Sequence, residues 1–147
     1  MTPEVIGFVR TLELNGHTLD IGSFDVNGNV RQWCKEYTGL DMRSGPNVDI
    51  VANSHSIPFP DEKFDNVVWL ETIEHDSAFW LTLAESKRVL KPGGKLVITA
   101  PKTTVAHHSY PDDYWRFYKS AVELFYDGFQ SVKIDESNEA ILAWGIK

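Results

Sequence analysis

The stretch from Gly16 to Gly28, Gly-His-Thr-Leu-Asp-Ile-Gly-Ser-Phe-Asp-Val-Asn-Gly, limits what this chain can fold into more than any other. Leu19 and Ile21 make a short apolar strand that carries Asp20, and Gly22 supplies a turn where backbone can approach a ligand closely. A helix is expected to start at residues 27–29, where Asn27 or Asn29 can accept a free backbone N–H as a cap. Val30, Trp33, Cys34 and Tyr37 then recur at i, i+3, i+4 and i+7, the spacing of one apolar helical stripe. A strand, a glycine turn and a helix mouth form the ligand-binding corner of open α/β sheets.

Two ligands suit such a corner. A dinucleotide places its pyrophosphate on a G-x-G-x-x-G turn, whereas this turn holds Gly22 and then Gly28, with carboxylates at Asp20 and Asp25. S-adenosylmethionine brings an ammonium and a sulfonium, which an acidic turn attracts. The charge argument favours the second. An ordinary strand-to-helix connection is the plainer alternative, and the rest of the chain must decide.

At 147 residues the chain is long enough for one domain, and a domain of that size buries about 68–70% of its unfolded surface. A net charge of −7 argues against a nucleic-acid partner, because such binding comes mostly from Lys and Arg neutralising phosphates. The single cysteine, Cys34, cannot form an internal disulfide and fits a reducing, cytoplasmic setting. Its place on the apolar stripe assigns it to the core. The apolar runs fall short of the ~20 residues of a membrane span. Glu4, Arg10 and Glu13 interrupt any signal-peptide pattern at the N-terminus.

Thr2-Pro3-Glu4 opens a first helix with a capping hydroxyl, an early proline and an acid in the first turn. Residues 37–41 and 48–51 read as the second and third strands, with Asp41 ending the former 21 positions after Asp20. An acid about that far beyond a glycine turn can accept from both hydroxyls of a ribose. Met42 follows it, as a cover for an adenine face or as a simple gap filler. Residues 66–70, Asn-Val-Val-Trp-Leu, form a continuous apolar run suited to a buried parallel strand. A helix capped by Asp76 or Ser77 should bury Phe79, Leu83 and Leu90 and stop at Lys91-Pro92-Gly93-Gly94. A fifth strand follows at residues 95–100. Residues 102–118 carry no regular pattern, and a loop that long in a compact domain is usually functional. A last helix at 119–125 and two strands, 129–134 and 140–146, close the chain as an antiparallel hairpin. Strands alternating with helices imply a Rossmann-like, doubly wound α/β fold, a mostly parallel seven-stranded sheet ending in that hairpin. Gly22, Asp41, Asn53, Glu71 and the 102–118 loop all fall at the carboxyl ends of the strands, where such sheets bind ligands.

The chain resembles class I S-adenosylmethionine-dependent methyltransferases of the small, type 11 kind. The resemblance rests on Leu-Asp-Ile-Gly-Ser (19–23), Gly-Leu-Asp (39–41) and Ile-Pro-Phe-Pro-Asp-Glu-Lys-Phe-Asp (57–65). Ile-Glu-His (73–75) and Arg-Val-Leu-Lys-Pro-Gly-Gly-Lys-Leu-Val-Ile (88–98) complete it. Pro-Asp-Asp-Tyr-Trp-Arg-Phe (111–117) is similar to a segment of some members. The resemblance implies S-adenosyl-L-methionine as cofactor, with Asp20, Gly22 and Ser23 at its methionine end and Asp41 on the ribose. It places Met42, Asn53 and Ser54 at the adenine, and Leu70 and Glu71 beside the methyl-transfer site. Asn53 stands where the family often has aspartate, and the turn lacks the usual three-glycine pattern.

Methyl transfer needs mainly alignment of two reactants, worth roughly 7–11 kcal/mol, and a base where the acceptor carries a proton. His75, Asp113 and Tyr114 are the candidates for catalysis, and His107, His108, Trp115 and Arg116 for holding the acceptor. His107 and His108 lack further metal ligands, so no metal is expected. The plainer roles are a helix start for His75, a loop lining for the two histidines, and a tie between loop and body for Trp115 and Arg116. With little room for a separate substrate domain, a small or flexible acceptor is expected, and homo-oligomers remain compatible. A binding or regulatory protein that keeps the fold without catalysis is the competing reading; a nicotinamide-dependent oxidoreductase is a third.

Overall fold

The computed structural model describes residues 1–26, 28–107 and 112–147. Its seven strands are β1 (His17–Ile21), β2 (Glu36–Asp41), β3 (Ile50–Val51), β4 (Phe64–Leu70), β5 (Leu90–Pro101), β6 (Ser131–Glu136) and β7 (Ala140–Ile146), and its helices are α1 (Pro3–Arg10), α2 (Phe79–Val89) and α3 (Lys119–Phe125). The strands lie in one sheet in the order β3-β2-β1-β4-β5-β7-β6. All pairings from β3 to β5 are parallel, and β7 runs antiparallel between β5 and β6. This is the Rossmann-like, mostly parallel sheet expected. The hairpin puts its second strand inside the sheet and its first at the edge.

Successive strand residues point to opposite faces, and the core divides accordingly. Leu19, Ile21, Val67, Trp69, Leu96 and Ile98 pack with Val89 of α2 and with Val122 and Phe125 of α3. Val68, Leu70, Val97 and Leu142 pack with Val5 and Val9 of α1. Helices thus cover both faces, the doubly wound arrangement. Thr2 caps α1, accepting the Val5 N–H on its hydroxyl, and Pro3 occupies the first turn. Two of the motif blocks touch: the Arg88 guanidinium donates to the carbonyls of Ile57 and Phe59 and so fixes the rigid 57–60 connection against α2.

Three local expectations are corrected. The helix expected from residues 27–29 is replaced by a single 3-10 turn, Arg31–Trp33, and Tyr37 lies in β2. Side chains take the bonds a helix would need: Asp25 accepts from the Gly28 N–H and from Asn29 Nδ2, and Asn29 Oδ1 accepts from the Arg31 N–H. Asn27, one of the expected caps, lies outside the described residues. Cys34 is half-buried against the α1 face, and burial raises its thiol to about 11, so it is inert there. Next, α2 starts at Phe79, with Ala78 rather than Asp76 or Ser77 as its cap residue. The Asp76 carboxylate still accepts the Ala78 N–H at 2.9 Å, just before the helix, and is also bound by His55 Nε2 at 2.8 Å and by the Thr82 hydroxyl at 2.6 Å. Finally, the fully buried residues of α2 are Thr82, Ser86 and Val89. Ser86 accepts the buried Trp69 indole N–H at 2.9 Å, while Leu90 opens β5.

Candidate active site

The chain runs outward from β1 to β2 and β3, then jumps back to β4 on the other side of β1. Such a reversal leaves a crevice at the carboxyl ends of the two central strands. Gly22, just past β1, has φ +76°, and a Cβ there would stand 2.2 Å from Cγ2 of Thr72, just past β4. Only a glycine lets the two strand ends close to this distance. Glu71, between Leu70 and Thr72, holds a left-handed φ of +52° without being glycine. Its N–H donates to the Thr99 hydroxyl, and its Oε2 accepts the Thr2 N–H at 2.8 Å, which brings the start of α1 to the crevice.

On the β2 side, the N–H groups of Gly22 and Ser23 both donate to the Leu40 carbonyl. The next residue, Asp41, takes the Phe24 N–H on Oδ2 and the Arg43 N–H on Oδ1. Each oxygen retains a lone pair, and the carboxylate is 12% exposed, so it can still be reached. Met42 beside it is exposed. Asn53 and Ser54 follow β3. Asn53 Oδ1 accepts the His55 N–H, and the Ser54 hydroxyl donates to Thr82 Oγ1, whose own proton goes to Asp76. Ser23 is buried, and its hydroxyl has no hydrogen-bond partner among the described residues.

Asp20 lies within β1, buried, with its Oδ2 2.6 Å from the Tyr37 hydroxyl that donates to it. Burial raises its carboxyl to about 7; the Tyr37 bond and Arg31 oppose that rise, and Asp41 and Asp25 add to it.

The 3-10 turn Ile73–His75 beyond β4 meets the second half of the 102–118 loop. His75 Nδ1 donates to the Asp112 carbonyl at 2.8 Å, the Tyr114 N–H to the Glu74 carbonyl at 2.8 Å, and Trp115 Nε1 to the Asp76 carbonyl at 2.8 Å. A strap, residues 112–117, is thereby laid across the turn. Phe117 closes it against β5 by donating to the Pro101 carbonyl. Of the residues expected to handle the acceptor, Arg116 and Asp113 bind each other. Both are nearly inaccessible, and Arg116 also donates to the carbonyls of Val105, Ala106 and Trp115. His107 Nδ1 faces the Asp113 carbonyl at 3.0 Å. Trp115 packs edge-on against Phe79 and Trp80. His108 lies outside the described residues.

Glu74 was legible within Ile-Glu-His, yet no role followed from the sequence. Its carboxyl is buried, its Oε2 has no hydrogen-bond partner among the described residues, and burial raises it to about 8.

Chemically, the crevice offers a reachable carboxylate for paired hydroxyls, close-approaching backbone at Gly22, and a preponderance of carboxyl groups. That donor set suits a ligand carrying a ribose and positive charge, and opposes a pyrophosphate.

A sequence profile described as Methyltransferase domain matches residues 8–98, more than half of the chain. The chain belongs to this methyltransferase family. It is 35% identical over 75 residues to the ubiquinone/menaquinone biosynthesis C-methyltransferase UbiE of Hahella chejuensis, a match covering 50% of this chain and 30% of that protein. In each curated relative it matches, the chain spans less than a third of the relative's length. Among solved structures, it is similar to a SAM-dependent methyltransferase from Archaeoglobus fulgidus, with TM-score 0.78, 16% identity, and coverage of 98% of this chain and 91% of that one. It is also similar to the Burkholderia thailandensis 1,6-didemethyltoxoflavin-N1-methyltransferase, a structure with bound S-adenosylhomocysteine, with TM-score 0.72, 13% identity, and coverage of 99% and 76%. At these identities the structural likeness speaks for the methyltransferase fold.

Proposed function

We propose that this chain is an S-adenosyl-L-methionine-dependent methyltransferase acting on a small or flexible acceptor. The observation that carries the reading is Asp41. Two backbone N–H bonds hold its carboxylate beside the Gly22 turn, which supports its taking both hydroxyls of a ribose. Asp20, Gly22 and Ser23 would border the methionine end, Met42, Asn53 and Ser54 the adenine, and Leu70 and Glu71 the transferable methyl. Bound there, the cofactor would supply a methyl group already activated by its sulfonium. The protein's own contribution is then alignment and the removal of a proton from the acceptor. His75 and Tyr114 stand on the strap-and-turn junction where an acceptor would meet the ends of β4 and β5, with Asp113 beneath them.

A small acceptor is in keeping with one similar fold: the Burkholderia thailandensis structure holds bound 1,6-didemethyltoxoflavin. Calorimetric titration with S-adenosylhomocysteine, with NADH run in parallel, tests the proposal. Micromolar binding of S-adenosylhomocysteine alone is expected. Binding of NADH alone would reverse the assignment, and binding of neither would favour a protein that keeps the fold without the cofactor.

A further inference from the structure

Glu74 is a buried carboxyl group with an orphaned oxygen at the rim of the crevice. Its Oε1 lies 3.9 Å from His75 Nε2, and its Oε2 meets no donor among the described residues. A buried acceptor left unmatched is rare in folded proteins and calls for an explanation. The charged groups that act on it are Glu71 at the end of β4 and the Asp113–Arg116 pair of the strap. Arg116 is no free cation, since Asp113 and three backbone carbonyls consume its donors. Lys102, just past β5, is likewise turned to Glu136 and the Ser137 carbonyl. What an entering molecule meets at this end of the sheet is therefore a set of carboxyl groups next to aromatic surface: Glu71, which also lies 3.5 Å from the N-terminal ammonium, Glu74, which ionises as the pH passes about 8, and Asp112. Trp80 and Tyr114 are each about half exposed, at 53% and 47%, and Trp115 packs against Trp80. Carboxylates beside aromatic faces recognise a cation by charge and by ring quadrupole together.

We propose that the methyl acceptor is an amine and that the orphaned Oε2 of Glu74 holds its nitrogen and takes up its proton. This rests on the methyltransferase reading above. The Glu74 carboxylate first takes one proton from the bound ammonium, becoming a carboxylic acid and freeing the nitrogen lone pair. That lone pair forms the new N–C bond as the methyl group leaves sulfur, the old bonding pair stays on sulfur, the methylated product departs as an ammonium, and Glu74 releases its proton to solvent. Burial, opposed by the hydrogen bond from Glu74's own backbone N–H and by Arg116 and reinforced by Glu71 and Asp113, raises the Glu74 carboxyl to about 8, which makes it a stronger base than an exposed carboxylate. Because the strap covers the turn through the bonds of Asp112, Tyr114 and Trp115, the amine reaches Oε2 by parting strap from turn.

The probes are three indoles that share one body and differ in the head group: tryptamine, tryptophol and 3-indolepropionate. Each is titrated at pH 8.5 into the protein saturated with S-adenosylhomocysteine, in wild type and in Glu74→Gln. Glutamine keeps the volume and the neutrality of the protonated acid, so the variant is expected to fold, and its S-adenosylhomocysteine affinity should stay within about twofold. Tryptamine should bind wild type at least tenfold tighter than either analogue and lose about tenfold in Glu74→Gln. Its affinity for wild type should also fall between pH 8.5 and pH 6.5, as Glu74 takes up a proton. Equal binding of the three head groups, no binding of tryptamine, or unchanged tryptamine binding in Glu74→Gln would overturn the amine assignment while the S-adenosylhomocysteine titration leaves the cofactor site standing. Failure of wild type to bind S-adenosylhomocysteine would overturn the methyltransferase reading, and this inference with it.

Discussion

The hydroxyl of Tyr37 lies 2.6 Å from Oδ2 of Asp20, and it accepts in turn from Asn47 Nδ2 at 2.6 Å. This chain stabilises a buried carboxylate in the middle of β1. It does so incompletely, since burial still raises Asp20 to about 7. The folded state therefore binds a proton on Asp20 that the unfolded chain, with an ordinary carboxyl near 3.8, has already released. Stability from this group is fully present below about pH 4 and is lost as the pH passes 7, at up to about 1.4 kcal/mol per pH unit between the two values. The melting temperature should fall between pH 6 and pH 8.5. Asp20→Asn should flatten that fall without abolishing it, because Glu74 titrates in the same direction at about 8. A pH-independent melting temperature in wild type would contradict both assignments.

Asp41 links turn geometry to the proposed ribose contact. Asp41→Ala should weaken S-adenosylhomocysteine binding by about 1.5–3 kcal/mol, the range for hydrogen bonds to a charged group. Because Asp41 also receives the Phe24 and Arg43 N–H groups, Asp41→Asn is the sharper probe. It retains one oxygen for the turn but cannot accept from both ribose hydroxyls. Calorimetry on both variants, with thermal melts to monitor folding, separates the two roles.

Gly22 and Thr72 hold the crevice closed. Gly22→Ala places a methyl 2.2 Å from Thr72 Cγ2 and forces alanine to φ +76°. Overpacking of this kind costs about 1–3 kcal/mol, and the left-handed backbone adds to it. In the double variant with Thr72→Ala the steric part should be recovered and the backbone part should remain. Urea unfolding of the two single variants and the double variant, read as a cycle, gives the coupling directly.

Arg116 tests whether the strap is structural. Its side chain is 6% exposed, and that of its partner Asp113 is fully buried. Removing one partner of a buried ion pair costs about 3–5 kcal/mol. Arg116→Ala should destabilise the protein by that order and loosen the strap. Arg116→Lys restores charge but not the forked geometry and should recover part of it. Hydrogen exchange at the Tyr114 and Phe117 amides, which bond the strap to the turn and to β5, should accelerate in both variants.

Much of this architecture was legible in the sequence because its signals are local. The continuous apolar run of β4, the Thr2-Pro3 start of α1 and the short link between β6 and β7 each depend on neighbouring residues alone. The helix expected after Gly22 does not form although its stripe is real: Val30, Trp33, Cys34 and Tyr37 all pack on the α1 face. What the stripe does not report is that Asp25 and Asn29 take the backbone bonds, that Tyr37 enters β2 and bonds Asp20, and that Arg31 reaches Asp49 at 2.7 Å. No periodicity reports such pairings. In the site, Asp113 and Arg116 sit three apart, a spacing that pairs side chains readily, so their mutual bond could have been anticipated. Glu74 could not: its importance lies in burial and in a missing partner, and both exist only after the strap has crossed the turn.

The position of β7 has a consequence for how the molecule assembles. β7 occupies an interior place in the sheet, between β5 and β6, although it follows every other strand in the sequence. A ribosome delivering this chain exposes the free edge of β5, with Leu96, Val97 and Ile98, before residues 140–146 exist to cover it. β6 emerges earlier but pairs only with β7, so it cannot shield that edge meanwhile. Nascent chains halted before residue 140 should therefore present an open, apolar strand to chaperones and to one another.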